Sequence, residues 1–239
     1  MNGYTLKTIA RIRSDFPTKF GIPRQAGIVS ELESLIVFEP EYRNDEALRG
    51  IEDFSHLWLI WQFSENVRED WSPTVRPPRL GGNTRLGVFA TRSPFRPNAL
   101  GLSCVKLLGI ERREGLGTFL RVAGADLMDG TPIYDIKPYI PYADCHPEAS
   151  GGFAPDSGVR LTVEYAAGVQ ERVPEDKRAA LTSVLANDPR PRYQHDSSRV
   201  YALEFAGLEV KFTVDGDVLA VISAEKKGAL YVGNDQQQR

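Results

Sequence analysis

The densest group of chemically capable residues lies between Gly87 and Ser103, in the run GVFATRSPFRPNALGLS. Two X-Pro steps restrict the backbone of this run and hold its arginines in a rigid loop. Guanidinium groups bind phosphate and carboxylate well, so a loop presenting Arg92, Arg96 and Asn98 is typical of an anion-recognition site. A proline-rich crossover that carries incidental arginines is the alternative interpretation.

The charge of the chain is unevenly distributed, although its formal net value is only −3. Between Trp71 and Ile110 there is no Asp or Glu. The basic residues of that window are Arg76, Arg79, Arg85, Arg92, Arg96 and Lys106. This concentration of positive charge in an acidic protein favours a focused anion site over general charge attraction. A solvated basic face with partners elsewhere on the surface is the other interpretation.

A second candidate segment is acidic and runs from Asp126 to Tyr142, DLMDGTPIYDIKPYIPY. It places Asp126, Asp129 and Asp135 among turn residues and aromatic residues, and we expect Asp135 to lie in a loop. Asp129 precedes a glycine, so an ordinary turn explains it as well as a functional role does. A third segment, FGIPRQAG, begins at Phe20 and has a stiffening proline before an Arg-Gln pair.

Several familiar chemistries are not indicated. No G-x-G-x-x-G fingerprint follows a strand, and there is no P-loop. The three histidines, His56, His146 and His195, are scattered without metal-ligand spacing, so we expect no metal. Cys104 and Cys145 are interpreted as reduced thiols of a cytoplasmic protein. No apolar stretch reaches the length of a membrane span, so no membrane association is expected.

The elements that position these segments are predicted to be mainly β-strands. The run from Phe54 to Phe63, FSHLWLIWQF, is apolar on both faces and predicts a central strand buried on two sides. A further strand is predicted over Leu86 to Thr91. Strand follows strand through residues 1–145, which favours a barrel or sandwich. Residues 146–158 are interpreted as a linker, and 159–239 as a small α+β domain with a helix over Glu175 to Asn187.

Taken together, these motifs closely resemble the TsaA-like family, specifically its bacterial TrmO members. The resemblance covers about the first 145 residues through GIPRQAG, FSHLWLIWQF, PPRLGGNTRLGVFATRSPFRPNALGLS and DLMDGTPIYDIKPYIPYAD. Near the C-terminus, NDPRPRYQHD is similar to a segment of the bacterial members. The resemblance implies a TsaA-like β-barrel domain, a homodimer and S-adenosylmethionine as methyl donor. It also implies a substrate, the threonylcarbamoyl-adenosine 3′ to a tRNA anticodon, which is methylated at N6.

The resemblance also implies which residues line the donor pocket. They lie in the P-R-Q, ATRS, GLS and D-L-x-D motifs and are Pro23, Arg24, Gln25, Arg92, Leu102, Asp126, Leu127, Met128 and Asp129. Ser64 and Glu65 occupy a pocket position where relatives are expected to carry His-Gln. That difference changes what the two side chains can contribute to the pocket, whereas contacts made by their backbone atoms do not depend on it.

The implied reaction needs a base, because the carbamoyl group delocalises the lone pair of N6. Asp135 is the leading candidate, with Asp129 second and Asn98 as a further catalytic residue. For the substrate's carboxylate we expect Arg96 or Arg79, and for stacking on anticodon-loop bases Tyr139 and Tyr142. The C-terminal segment is expected to hold tRNA rather than the donor. A hydrolase of an acylated amine and a non-catalytic RNA-binding barrel are the alternative functions.

Overall fold

The computed structural model describes residues 5–65, 70–81, 83–154, 160–191, 194 and 196–227. Most of its regular structure is β, which confirms the predicted mainly-β class. The strands are β1 (Ala10–Arg13), β2 (Glu33–Phe38), β3 (His56–Gln62), β4 (Thr74–Val75), β5 (Leu86–Gly87), β6 (Leu100–Arg113), β7 (Gly117–Ala123), β8 (Pro132–Pro138), β9 (Thr162–Tyr165), β10 (Tyr201–Phe205), β11 (Leu208–Asp215) and β12 (Val218–Lys226). The α-helices are α1 (Pro141–Asp144) and α2 (Glu175–Ala186). No helix in these ranges is long and apolar enough to cross a membrane.

Six strands close into a barrel in the order β1-β2-β7-β6-β3-β8. Antiparallel pairing of β8 with β1, which sets Ala10 opposite Ile133, completes the circle. Closure leaves no unpaired strand edge, which protects the sheet from pairing with other chains. The interior is apolar and includes Ala10, Ile12, Ile36, Leu57, Leu59, Trp61, Val105, Leu120, Val122 and Ile133.

Strand β3 is buried on one face only, so the prediction of two-sided burial was wrong. Leu57, Leu59 and Trp61 point into the barrel and are buried. The alternate residues, among them Trp58 and Ile60, are only partly buried. A closed barrel has a single interior, so the second apolar face of the strand lies on the outer wall.

Asp135 lies in strand β8, not in the expected loop. Prolines stand at both ends of this strand, where the missing N–H donor is tolerated, and they made the segment resemble a turn. The pairing with β3 shifts register, so that Ile60 faces Asp135 while Trp61 faces Ile133. The shift puts Ile133 inside the barrel and Asp135 opposite Ile60 on the outer wall.

The predicted strand over Leu86 to Thr91 was also too long. Only Leu86–Gly87 forms a strand, which pairs with Thr74–Val75 in a separate two-stranded arm. The chain then makes a 3-10 turn over Val88–Ala90. Because of this turn, the arginine loop leaves the arm and does not continue a strand.

The C-terminal residues form a four-stranded sheet in the order β10-β11-β12-β9, packed with helix α2. Its core also contains Phe16, Val29 and Leu32 from the segment between β1 and β2. The rings of Phe16 and Phe205 meet edge to face with centroids 5.3 Å apart. This sheet is therefore packed directly onto the segment that carries the P-R-Q motif.

Candidate functional site

Two loops that the sequence analysis singled out are fastened side by side. The backbone N–H of Gly27 donates to the carbonyl oxygen of Gly124 at 2.8 Å. Gly124 has a φ of +77°, and a Cβ there would lie 3.2 Å from the Gly27 backbone, so glycine suits both the turn and the close approach. The loops that carry the P-R-Q and D-L-x-D motifs consequently lie next to each other.

Asp126 is the centre of this neighbourhood. Its Oδ1 accepts a hydrogen bond from Ser103 Oγ at 2.6 Å, and Ser103 Oγ accepts one from Trp61 Nε1 at 2.9 Å. Burial raises the pKa of Asp126, and the hydrogen bond from Ser103, backbone N–H groups and the charge of Arg92 partly offset this. The carboxyl group is thus held by a chain of donors that begins inside the barrel.

Arg92 completes the group. Its Nη1 donates to the side-chain oxygen of Gln25, and its charge acts on Asp126. The guanidinium is exposed at the surface. Three residues predicted from separate motifs, Gln25, Arg92 and Asp126, are therefore brought together. Opposite charges beside one another suit a ligand that carries both an acid and an amine.

The rest of the D-L-x-D motif serves the barrel. The Leu127 side chain is only 1% exposed and lies in the core. Met128 offers its carbonyl oxygen to Thr131. Asp129 accepts a hydrogen bond from the Ser14 N–H at 3.1 Å and lies 3.7 Å from the Arg13 guanidinium. These contacts hold the loop in place, so the motif has a structural role in the barrel.

The other residues predicted to line the methyl-donor pocket lie in surroundings that differ from those of the Asp126 group. Pro23 is buried beneath its loop. Leu102 lies opposite Ile60 on the outer wall and is 57% exposed. Ser64 and Glu65 are exposed in the turn that follows β3. No hydrogen bond among the described residues joins any of these side chains to Asp126.

A cleft of about 220 Å³ lies beside the arginine loop. Arg96 and Asn98 line it together with Gln62 and Tyr134, whose hydroxyl donates to the Gln62 side chain. Arg96 Nη1 also donates to the Thr91 carbonyl oxygen at 3.0 Å, so this arginine braces its own loop. The backbone of Arg79 lies in the 3-10 turn Pro78–Leu80, and its side chain falls outside the described part of the structure.

The predicted base does not line this cleft. Asp135 is paired with Lys137 at 2.9 Å and accepts the backbone N–H of Ile136, also at 2.9 Å. Tyr139 lies against Trp58 with ring centroids 5.8 Å apart. Tyr142, on α1, is almost fully exposed. Among the described residues, no group of three or more His, Cys, Asp or Glu side chains could hold a metal ion.

The Arg24 side chain contacts the segment that follows helix α2. Its Nη2 donates to the carbonyl oxygens of Asp188 at 3.3 Å and Arg190 at 3.2 Å. Arg190 is buried and forms a two-pronged pair with the Asp188 carboxylate, at 2.8 and 3.1 Å. The C-terminal segment therefore touches the P-R-Q loop directly.

Ser103 and Trp61 are the site residues that the sequence analysis missed. Alternation along β3 and β6 places both on the inner face, where a serine beside a tryptophan is unusual. A buried hydroxyl needs partners, and this requirement could have pointed to Asp126.

Comparison with known proteins agrees with these motifs. Residues 11–145 match the family model described as tRNA-methyltransferase O N-terminal domain. The chain belongs to the TrmO family. Residues 157–227 match the TrmO C-terminal domain, so the family assignment extends beyond the barrel.

Two bacterial relatives and a solved structure align with this TrmO-family chain over most of their lengths. The chain is 38% identical over 236 residues to the Escherichia coli (strain K12) tRNA (adenine(37)-N6)-methyltransferase, covering 95% of this chain and all of the relative. A putative S-adenosylmethionine-dependent methyltransferase, RcsF, of Pseudomonas aeruginosa is 38% identical over 87% of this chain and 91% of its own. The crystal structure of TrmO from P. aeruginosa superposes with a TM-score of 0.77 at 32% identity, covering 93% of this chain and 98% of that one.

Proposed function

We propose that this protein is an S-adenosylmethionine-dependent tRNA methyltransferase that methylates N6 of the adenosine immediately 3′ of the anticodon. The observation that carries the proposal is the end-to-end match to a relative named for this reaction. The grouping of Gln25, Arg92 and Asp126 from separate motifs supports it, because family motifs alone do not require these side chains to meet.

The residues present fit the donor. The amino-acid end of S-adenosylmethionine carries a carboxylate and an ammonium group, which suit a guanidinium and a carboxylate. Arg92 and Asp126 offer that pair, and Gln25 supplies a further polar contact. When bound, S-adenosylmethionine supplies an electrophilic methyl group. The protein's part is to orient the two substrates, since in-line displacement depends strongly on alignment.

The cleft beside the arginine loop is the proposed acceptor site, and threonylcarbamoyl-adenosine is the proposed substrate. Its carboxylate would pair with Arg96, and Asn98 would hydrogen-bond the base. Asp135 is the proposed general base. It directly follows the cleft-lining Tyr134 in β8, and this position next to the cleft is what supports the role.

A homodimer is the proposed assembly, with the outer wall of β3 and β6 as its contact. Leu102 is exposed there, and the partly buried Ile60 lies opposite it. Exposed apolar side chains that are contiguous on a wall favour association. Because tRNA is the substrate, we expect the protein to act in the cytoplasm.

A methylation assay with two matched RNAs tests the proposal. The purified protein is incubated with labelled S-adenosylmethionine and one tRNA, prepared with or without the threonylcarbamoyl group on the target adenosine. We expect N6 methylation of the modified tRNA, identified by nucleoside mass spectrometry. Methylation of the unmodified tRNA alone would reject the proposed substrate. RNA binding without methyl transfer, with donor bound, would favour a non-catalytic RNA-binding protein.

A further inference from the structure

Two large aromatic side chains beside the cleft are unusually exposed. Phe89 is 72% exposed and Trp71 is 48% exposed. Their rings are stacked, with centroids 6.0 Å apart and planes inclined by 24°. Exposure of stacked aromatic rings is unfavourable in water, so such a pair indicates a surface that a partner covers.

The surroundings of this pair are cationic. Arg96 places its Cζ 6.0 Å from the Phe89 ring centroid and also lines the cleft, so it joins the two features. Arg76 is exposed on the β4–β5 arm, and Arg85 is tied to Thr74 of the same arm by a 3.2 Å hydrogen bond. The stretch of sequence without Asp or Glu begins at Trp71, directly after the cleft-lining Asp70, and it includes both aromatic residues and these arginines.

We propose that Trp71 and Phe89 form a stacking platform for an unpaired base of the tRNA anticodon loop, next to the adenosine held in the cleft. Aromatic faces with arginines around them are what single-stranded RNA requires, since the bases stack and the phosphates pair with cations. RNA is the occupant to which the proposal commits, because relatives that this chain matches are named for acting on tRNA. This inference rests on the proposed function and assigns the stacking role to residues other than Tyr139 and Tyr142.

The platform is tested with variants of Phe89 that separate the effect of the aromatic ring from that of an apolar side chain. Phe89→Leu keeps an apolar side chain but removes the aromatic face, whereas Phe89→Tyr keeps the face. Phe54→Leu, at a residue 38% exposed just before β3, is the matched surface control. The probe is an anticodon stem-loop RNA that carries the modified adenosine, and its Kd is measured by fluorescence anisotropy. We expect Phe89→Leu to raise the Kd about tenfold, which is ~1.4 kcal/mol, with Phe89→Tyr and Phe54→Leu within about twofold of wild type.

Three readouts decide between occupants. Donor affinity, measured by calorimetry, should be unchanged in Phe89→Leu; a loss there would overturn the inference by assigning the platform to the donor. The mass by light scattering should also be unchanged, because a shift would assign the platform to a second copy of the chain. If Phe89→Leu binds RNA as wild type does while the wild type methylates tRNA, the platform is wrong and the proposed function stands. If the wild type neither binds RNA nor methylates it, the proposed function fails as well.

Discussion

The guanidinium of Arg24 donates to the backbone carbonyl oxygen of Asp188 at 3.3 Å, across the boundary between the barrel and the C-terminal sheet. The loop that carries Arg24 also carries Gln25, a member of the Asp126 group. The C-terminal segment therefore braces the proposed donor site. This extends the expectation that the segment serves tRNA alone.

Removal of that brace should weaken donor binding. Arg24→Ala loses the hydrogen bonds to Asp188 and Arg190, and the P-R-Q loop becomes less restricted. We expect the Kd for S-adenosylmethionine to rise about fivefold, or ~1 kcal/mol, in isothermal titration. Asp188→Gly provides a second approach, since glycine accepts the φ of +50° at this position but removes the carboxylate that holds Arg190. Wild-type donor affinity in both variants, with normal circular dichroism, would show that the brace is only structural.

The two arginines of the loop should have different roles. Arg92 contacts Gln25 and its charge acts on Asp126, so Arg92→Ala should directly weaken the binding of S-adenosylmethionine. Arg96 lines the cleft, so Arg96→Ala should lower tRNA methylation by about tenfold while donor affinity stays within about threefold. Equal losses of donor affinity in the two variants would reject this division. Arg96 also braces the Thr91 carbonyl, so Arg96→Lys is the companion variant that retains a charge at the cleft.

Asp126 should make donor binding and stability depend on pH. Burial raises its pKa, so on acidification it takes up a proton at a higher pH than an ordinary aspartate would. We expect donor affinity to fall in that range in the wild type, and Asp126→Asn to lose this dependence. A folded-state pKa above the unfolded value also means that this group's contribution to the free energy of unfolding falls as the pH rises through it. The stability of wild type relative to Asp126→Asn should therefore decrease from acidic to neutral pH in denaturant titrations. A difference that is constant over this range would contradict the assignment.

The sequence predicted the mainly-β class and named three residues that the structure brings together, Gln25, Arg92 and Asp126, but it predicted local geometry less well. Strong alternation identifies a strand such as β11 without tertiary information. Asp135 was misplaced because prolines at strand ends resemble turn prolines until the partner strand is known. The hydrogen bonds of Trp61, Ser103 and Asp126 join residues 42 and 23 positions apart, and the pairing of β6 with its neighbours β3 and β7 brings them into contact.

Gly101 offers the sharpest test of the hydrogen bonds that run from Trp61 through Ser103 to Asp126. It lies on the inner face of β6, and a Cβ added there would come within 2.2 Å of the Trp61 ring. Gly101→Ala must therefore displace the indole, which donates to Ser103, and the support of Asp126 is lost with it. We expect a loss of about 1–3 kcal/mol in the free energy of unfolding, as in other overpacked cores.

The matched control lies on the same strand. A Cβ added at Gly109 would meet nothing within 4 Å, so Gly109→Ala should retain both stability and donor affinity. Gly101→Ala should in addition raise the Kd for the donor, since the Ser103 hydroxyl that donates to Asp126 loses the indole N–H that orients it. A second variant, Trp61→Phe, removes the indole donor while keeping an aromatic ring in the core, and it should reproduce the loss of donor affinity at a smaller cost in stability. If Gly101→Ala destabilises the barrel and yet binds S-adenosylmethionine as tightly as Gly109→Ala does, the chain from Trp61 to Asp126 supports the fold and not the donor site.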